Sequence, residues 1–323
     1  MGALESKGRT EQNEFAKHVE EGLSAKEKRI SSMYLYDDEG SRLFEEIMDL
    51  PEYYPTRCEL EILKKYKRTI LELTCIGTEI YVVDLGAGNG LKTMVLLHYF
   101  TGRANFKYVP IDISKSALND LENNLKLNYA DLPFECIHGE YMESLRSMKS
   151  RPDVRKLILF LGSTIGNFTF REAMHFLSDL HDALNKDDLV LIGFDIMKDP
   201  HIIRSAYNDS KGVTAKFNFN LLVRMNRELG ANFDLNNFLF YPMYDPSTGE
   251  MKSYLVSKTE QVVYFKALNR SFQFHTWEPI HTECSNKYDV KMIEELAVRT
   301  KFEIEENFYD SKKYFLDSLW KVR

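Results

Sequence analysis

The amino-acid sequence predicts an α/β fold, a mostly parallel sheet with helices on its faces, interrupted late in the chain by a smaller α+β unit. Two observations carry this expectation. From about residue 80 to residue 195, short apolar runs alternate with amphipathic stretches, which is the pattern of consecutive βα units. After Asp195 the alternation stops, and a helical stretch followed by strand-like alternation takes its place. The length of 323 residues agrees, since it exceeds the ~100–200 residues usual for one domain.

Taken in order, the apolar runs predict strands at Ile80–Leu85, Tyr108–Ile113, Phe134–His138, Leu157–Leu161 and Leu189–Asp195. Helical spacing predicts helices near Lys92–Tyr99, Ser114–Lys126, Tyr141–Met148 and Thr169–Ala183. Ser114 reads as an N-cap, and Thr169 with Glu172 three residues later reads as a capping box. Pro200–Leu229 reads as mostly helical, and Leu239–Phe274 alternates as strands around the turn Asp245-Pro246-Ser247-Thr248-Gly249. Strand-like Phe302–Tyr309 and Tyr314–Val322 are close enough to form an antiparallel pair that completes the first sheet. The expected division is a core from 58–198 and 287–323, with a second domain from 1–57 and 199–286. No internal repeat or low-complexity segment interrupts this reading.

Composition narrows the function. A formal charge of -7 and a pI near 5.7 argue against a nucleic-acid partner, which normally meets a basic face, and favour a small-molecule substrate. The longest apolar runs are strand-sized, well short of the ~20 residues needed to span a bilayer, so no membrane association is expected. The N-terminal stretch is charged throughout and lacks the apolar middle of a secretory signal, which points to the cytoplasm. Cys58, Cys75, Cys136 and Cys284 are widely spaced without a C-x-x-C, as expected of reduced, inert thiols. The eight histidines show no ligand spacing, so no metal is expected, and His281 reads as structural.

The sharpest local signal is Val82-Val83-Asp84-Leu85-Gly86-Ala87-Gly88-Asn89-Gly90, an apolar strand that ends in a glycine-rich turn and enters a helix. A dinucleotide site would continue to a third glycine, where this chain has Leu91. With Asp84 before the glycines, the run looks like the first motif of Rossmann-like methyltransferases. The next strand ends deliver acids where a nucleoside would lie across the carboxyl edge of the sheet. Asp112 can accept from both ribose hydroxyls, Glu140 from an adenine amino group, and Tyr141 can pack on the ring. Lys92, near a helix N-terminus, can neutralise the carboxylate of a methionyl arm. These residues predict S-adenosylmethionine as cofactor.

Longer blocks make the chain resemble a known family. Tyr36-Asp37, Gly40-Ser41, Leu43-Phe44, Leu50 to Arg57, Phe160 to Asn167, Lys198-Asp199-Pro200, Ala206-Tyr207, Gly212 to Ala215, Phe217-Asn218, Asn226 to Leu229 and Thr282-Glu283-Cys284-Ser285 occur in fixed order. Together they resemble the histidine Nα-methyltransferases of ergothioneine biosynthesis over nearly the whole chain. The resemblance implies a Rossmann-like class I methyltransferase sheet with an inserted α+β substrate-binding domain that trimethylates L-histidine to hercynine; a monomer is expected. It places cofactor contacts at Gly86, Lys92, Asp112, Glu140, Tyr141 and Gly162, with Gly88 in the same turn. It also implies an amino-acid pocket, carried over to Tyr36, Tyr53, Asn167, Tyr207, Glu283 and Ser285.

Those residue types suit a free amino acid, which must be held by carboxylate, amine and side chain at once. Asn167 can touch amine and carboxylate, Tyr207 can donate to the carboxylate, and Glu283 with Ser285 and Tyr53 can accept an imidazole N–H. Tyr36 is a candidate acceptor or water-holder near the amine, which makes it, with Asn167, the expected catalytic pair. One position departs from the family: Ser253 falls where histidine-specific members carry methionine, and Met251 would fill the same volume if the hairpin shifted by two. Two other functions stay open at this point, namely an N-methyltransferase of an indole amino acid such as a prenylated tryptophan, and a catalytically inactive cofactor-binding regulator. Glu283 disfavours the first, because a buried acid facing an apolar ring loses its hydrogen bonds.

Overall fold

The computed structural model describes residues 2–74, 79–113, 115–129, 131–149 and 154–323. Ser114 and Cys75, read above as an N-cap and an inert thiol, lie outside them. In chain order the first elements are α1 (Gly2–Ser24), α2 (Asp38–Met48), α3 (Tyr54–Thr74), β1 (Ile80–Leu85), α4 (Thr93–Phe100), β2 (Phe106–Asp112), α5 (Lys115–Asn128) and β3 (Ile137–His138). They are followed by α6 (Tyr141–Met148), β4 (Arg155–Phe160), α7 (Phe170–Ala183), β5 (Leu189–Asp195), α8 (Pro200–Ala206) and α9 (Val213–Leu229). The chain ends with β6 (Phe238–Asp245), β7 (Glu250–Ser257), β8 (Gln261–Phe265), β9 (Arg270–Phe274), β10 (Pro279–Asn286), α10 (Val290–Arg299), β11 (Phe302–Tyr309) and β12 (Phe315–Val322). These elements form two compact units, Met1–Tyr53 with Asp199–Ser285, and Tyr54–Lys198 with Asn286–Arg323.

The larger unit is built on a seven-stranded sheet in the order β11-β12-β5-β4-β1-β2-β3. β1, β2, β3, β4 and β5 run parallel, and β12 is antiparallel to both β5 and β11. All residues of β1 and β5 are buried, as expected of strands covered by helices on both faces. The chain steps from β1 outward to β3, then returns to β4 on the other side of β1. That reversal opens a crevice at the carboxyl ends of β1 and β4, the place where open α/β sheets bind ligands. The closing antiparallel pair forms as the sequence predicts, and so does the capping box. There Glu172 N donates to Thr169 Oγ1 at 3.3 Å, and Thr169 N donates to Glu172 Oε2 at 2.8 Å.

β3 is shorter than the run Phe134–His138. Pro133 has no N–H to give the ladder, so only its carbonyl is used, accepting from Tyr108 N, and Phe134 is left as an isolated bridge to Tyr108. The N-terminal helices, β10 and α10 are additions to the sequence reading. α2 begins where Asp37 Oδ1 accepts from Gly40 N at 2.8 Å, and it buries Gly40, Leu43 and Ile47.

In the smaller unit, β10, β7 and β6 form one sheet and β8 and β9 a hairpin, while α9 packs with α2. The β6–β7 turn closes as its composition predicts, with Asp245 Oδ1 accepting from Ser247 N and the Asp245 carbonyl accepting from Gly249 N, each at 2.8 Å. Alternation along β7 puts Met251, Ser253, Leu255 and Ser257 on its buried face. No helix among the described residues is long and apolar enough to cross a membrane.

Candidate active site

In the larger unit, the glycine-rich turn leaves β1 over a buried acid. Asp84 is 3% exposed, and its Oδ2 accepts from Thr93 Oγ1 at 2.5 Å and from Tyr108 Oη at 3.0 Å. Burial pushes its pKa up to about 6, although the two hydroxyls pull it back. These bonds tie the strand end to the first turn of α4 and to β2. Above Asp84, Gly86 and Gly88 have φ of +72° and +52°, the left-handed region that favours glycine. A Cβ on Gly86 would lie 2.7 Å from Tyr141 Oη, so the start of α6 closes directly over the turn. Gly88 N donates to Asp112 Oδ2 at 3.2 Å, which brings the end of β2 to the same place.

The structure therefore brings Gly86, Gly88, Asp112 and Tyr141 together. Burial, then the nearby Asp112 and Asp84 carboxylates, raise the Tyr141 phenol above its usual range, so it remains a hydrogen-bond donor. Glu140 stands at the N-cap of α6 and is exposed.

Lys92 and Gly162 meet at the end of β4. Gly162 has φ of +78°, and a Cβ there would lie 3.1 Å from Lys92 Nζ. Both are held by Glu59 of α3, a residue absent from the sequence reading. Gly162 N donates to Glu59 Oε1 at 2.7 Å, and Lys92 Nζ lies 2.6 Å from Glu59 Oε2. The available signal was an acid on the apolar stripe of a helix, alongside the buried Cys58, Ile62 and Leu63.

Asn167 ends the short 3-10 turn Thr164–Asn167 after β4 and is exposed. Its loop is firmly pinned. Asn286 Nδ2 donates to the carbonyls of Gly166 at 3.0 Å and Phe168 at 2.6 Å, and Tyr288 Oη donates to that of Ile165 at 3.1 Å. Ser163, with φ of +56°, turns the chain into this loop at a cost of about 1 kcal/mol, the strain expected at sites held by their surroundings. Asn286 is another residue that the sequence reading missed.

The amino-acid residues of the smaller unit come from α8, β10 and the segments around α2. Tyr207 Oη donates to Ser285 Oγ at 2.8 Å, with both residues buried. Tyr53 meets Tyr207 edge to face, with ring centroids 6.3 Å apart. Tyr36 packs edge-on against Phe44 and Phe217, both at 5.4 Å. Although 37% of Tyr36 is exposed, its phenol is raised above the ordinary range, first by desolvation among the surrounding rings, then by the Glu283 carboxylate and by Tyr53 and Tyr207. Tyr36, Tyr53, Tyr207, Glu283 and Ser285 thus form one cluster, and Tyr36 stays protonated there.

Ser253 lies opposite Pro242, on the buried face that also carries Met251, and its carbonyl accepts from Thr282 Oγ1 at 3.1 Å. His281 is partly buried on β10, and burial lowers its pKa.

The donor set of the larger unit fits S-adenosylmethionine. Left-handed glycines allow close approach to the backbone, Asp112 offers a carboxylate, and Lys92 a cation at the end of the neighbouring strand. Among the described residues, no group of histidine, cysteine and acidic side chains could hold a metal ion.

Comparison with known proteins agrees. Residues 15–322 match the model of the SAM-dependent, histidine-specific methyltransferases. The chain is 36% identical over 272 residues to the histidine N-alpha-methyltransferase of Mycolicibacterium smegmatis, covering 84% of this chain and 83% of that one. It is 34% identical over 271 residues to the enzyme of the same name from Mycobacterium tuberculosis, with the same coverage. It is also 32% identical over 288 residues to ergothioneine biosynthesis protein 1 of Schizosaccharomyces pombe, covering 84% of this chain and 37% of that protein. The chain belongs to the histidine-specific, S-adenosylmethionine-dependent methyltransferase family.

Proposed function

We propose that this enzyme methylates the α-amine of L-histidine, three times in succession, to give hercynine. The observation that carries this reading is the convergence of three tyrosines, Ser285 and the Glu283 carboxylate in one cluster. A free zwitterion with a ring N–H needs a donor for its carboxylate, an acceptor for its ring and room for its amine. Tyr207 supplies the first by turning its one O–H from Ser285 to the carboxylate, and Glu283 supplies the second. Tyr36 faces the amine, where its protonated phenol accepts a hydrogen bond through an oxygen lone pair without taking the proton. Ser253 lines the side-chain end, and Asn167, an amide able to meet both amine and carboxylate, is the candidate contact from the loop after β4. Relatives named for histidine N-alpha-methylation support the substrate.

S-adenosylmethionine, when bound, supplies a methyl group on a sulfonium that an amine nitrogen displaces in line. For that cofactor, Asp112 accepts from the ribose hydroxyls, Glu140 from the adenine amino group, and Tyr141 covers the ring. Gly86, Gly88 and Gly162 let backbone approach closely, and Lys92 neutralises the methionyl carboxylate. Little acid catalysis is required of the protein. An α-amine titrates near pH ~8, so the pocket need only favour the neutral form and align its lone pair. Tyrosine faces stabilise the cation that grows with successive methylation. On this reading the unit of Tyr54–Lys198 and Asn286–Arg323 carries the cofactor, that of Met1–Tyr53 and Asp199–Ser285 carries the amino acid, and one chain performs the whole reaction.

The cytoplasm suits it, because Cys58 and Cys136 are reduced thiols. Burial pushes Cys58 up to about 12 and Cys136 up to about 11, which leaves both unreactive.

Calorimetric titration of the enzyme, saturated with S-adenosylhomocysteine, against L-histidine, histamine and L-tryptophan tests this. L-Histidine is expected to bind, and histamine, lacking the carboxylate, to bind at least about tenfold more weakly. Tighter binding of L-tryptophan than of L-histidine would overturn the substrate assignment.

A further inference from the structure

Beneath the cofactor residues lies a pair of buried carboxyl groups that the reaction itself does not use. Glu59, on α3, and Asp317, on β12, are both completely buried. Asp317 stands opposite Gly193 of β5, where a Cβ would run into Glu59 Oε1, so the two acids meet over the one strand position without a side chain. The cation facing both is Lys92. Neither carboxyl oxygen of Asp317 has a hydrogen-bond partner among the described residues.

We propose that Glu59 is a positioning residue for the methionyl arm of the cofactor, its two oxygens holding the Lys92 ammonium and the Gly162 amide in one fixed geometry. The inference rests on the cofactor reading above and goes beyond it, since Glu59 is too deeply buried to touch the ligand itself. A lysine is long, and fixing it costs about 2 kcal/mol of rotamer freedom, which a prior anchor removes from the binding step. Lys92 Nζ lies 2.6 Å from Glu59 Oε2 as an ion pair, which leaves its N–H donors able to turn toward a carboxylate.

Two buried carboxylates beside a single ammonium would leave a net negative charge out of water, so one acid keeps its proton. Burial and the Glu59 charge raise the Asp317 pKa well above the carboxylate range, which puts the proton there. Asp317 is then a neutral neighbour of the Glu59–Lys92 ion pair.

The test compares two probes, S-adenosylmethionine and 5′-methylthioadenosine, which lacks the amino-acid arm, by calorimetry on the full chain. Glu59→Gln is isosteric and is expected to weaken S-adenosylmethionine binding by about tenfold or more while changing 5′-methylthioadenosine binding by less than about threefold. A merely structural role would weaken both equally, or neither, and either result overturns the proposal. Asp317→Asn imitates a protonated acid and is expected to keep the ratio of the two affinities within about threefold of wild type. If it instead lowers that ratio tenfold, the charge sits on Asp317 and the assignment to Glu59 is wrong. Should Glu59→Gln fail to fold, Glu59→Asp, which keeps the charge but shortens its reach, is expected to lower the same ratio, and an unchanged ratio overturns the proposal. Failure of the wild-type chain to bind S-adenosylmethionine would sink the cofactor reading instead, a result distinct from an unchanged ratio in the variant.

Discussion

As the pH rises from 4 to 7, ionisation of the buried acid Asp84 is expected to cost this protein stability, and Asp84→Asn is expected to remove that part of the cost. The carboxyl is 3% exposed, and its folded pKa is raised from 3.8 to about 6, chiefly by burial. Between those two values the folded state holds a proton that the unfolded state has lost. The contribution of Asp84 is therefore fully present below pH ~4 and disappears as pH rises through ~6. A shift of about two pKa units corresponds to roughly 3 kcal/mol.

Asparagine has no charge to desolvate, and its carbonyl can still accept from Thr93 or Tyr108. Urea unfolding of wild type and Asp84→Asn at pH 4, 5, 6 and 7 isolates the effect, because other titrating groups are common to both. The stability of the variant relative to wild type is expected to rise by about 2–3 kcal/mol across this range. A constant difference at all four values would show that Asp84 ionises normally, and that the floor of the glycine turn is wetter than its burial implies.

Other perturbations probe the candidate residues of each unit. Gly86→Ala must adopt a left-handed backbone and meets Tyr141 Oη, so thermal or urea unfolding is expected to show a loss of about 1–2 kcal/mol, with weaker S-adenosylmethionine binding by calorimetry. Glu283→Gln gives up a charged acceptor and is expected to raise KM for L-histidine about 10–100-fold in steady-state assays. Asn286→Ala removes two bonds to the carbonyls around Asn167 and leaves them unsatisfied. It is expected to cost about 2–4 kcal/mol in unfolding measurements and to lower kcat, as the loop it pins loses its geometry.

What could be read from the chain alone depended on how local each signal was. β1, β5 and β11 run over the residues predicted for them, because continuous or alternating apolar runs bounded by polar turns are local patterns. The N-terminal helices were missed for a physical reason. The buried residues Phe15, Val19 and Leu23 of α1 recur every four positions in an otherwise charged stretch, too narrow a stripe to stand out from composition. The cofactor turn was legible from Gly86, Gly88 and Asp112, since strand ends deliver them to one edge in sequence order.

The tyrosine and glutamate cluster was different. Tyr36, Tyr53, Tyr207 and Glu283 are scattered over most of the chain, and only the family resemblance grouped them. Glu59 and Asp317 escaped notice because acids are seldom fully buried, so nothing in their local sequence announces a paired site.

Mass spectrometry of an equimolar mixture of the twenty amino acids, incubated with the purified chain and S-adenosylmethionine, bears most directly on the central claim. One, two and three added methyl groups are expected on L-histidine, with the other nineteen unchanged. Methyl groups on tryptophan but not on histidine, or no transfer despite measurable cofactor binding, would contradict it.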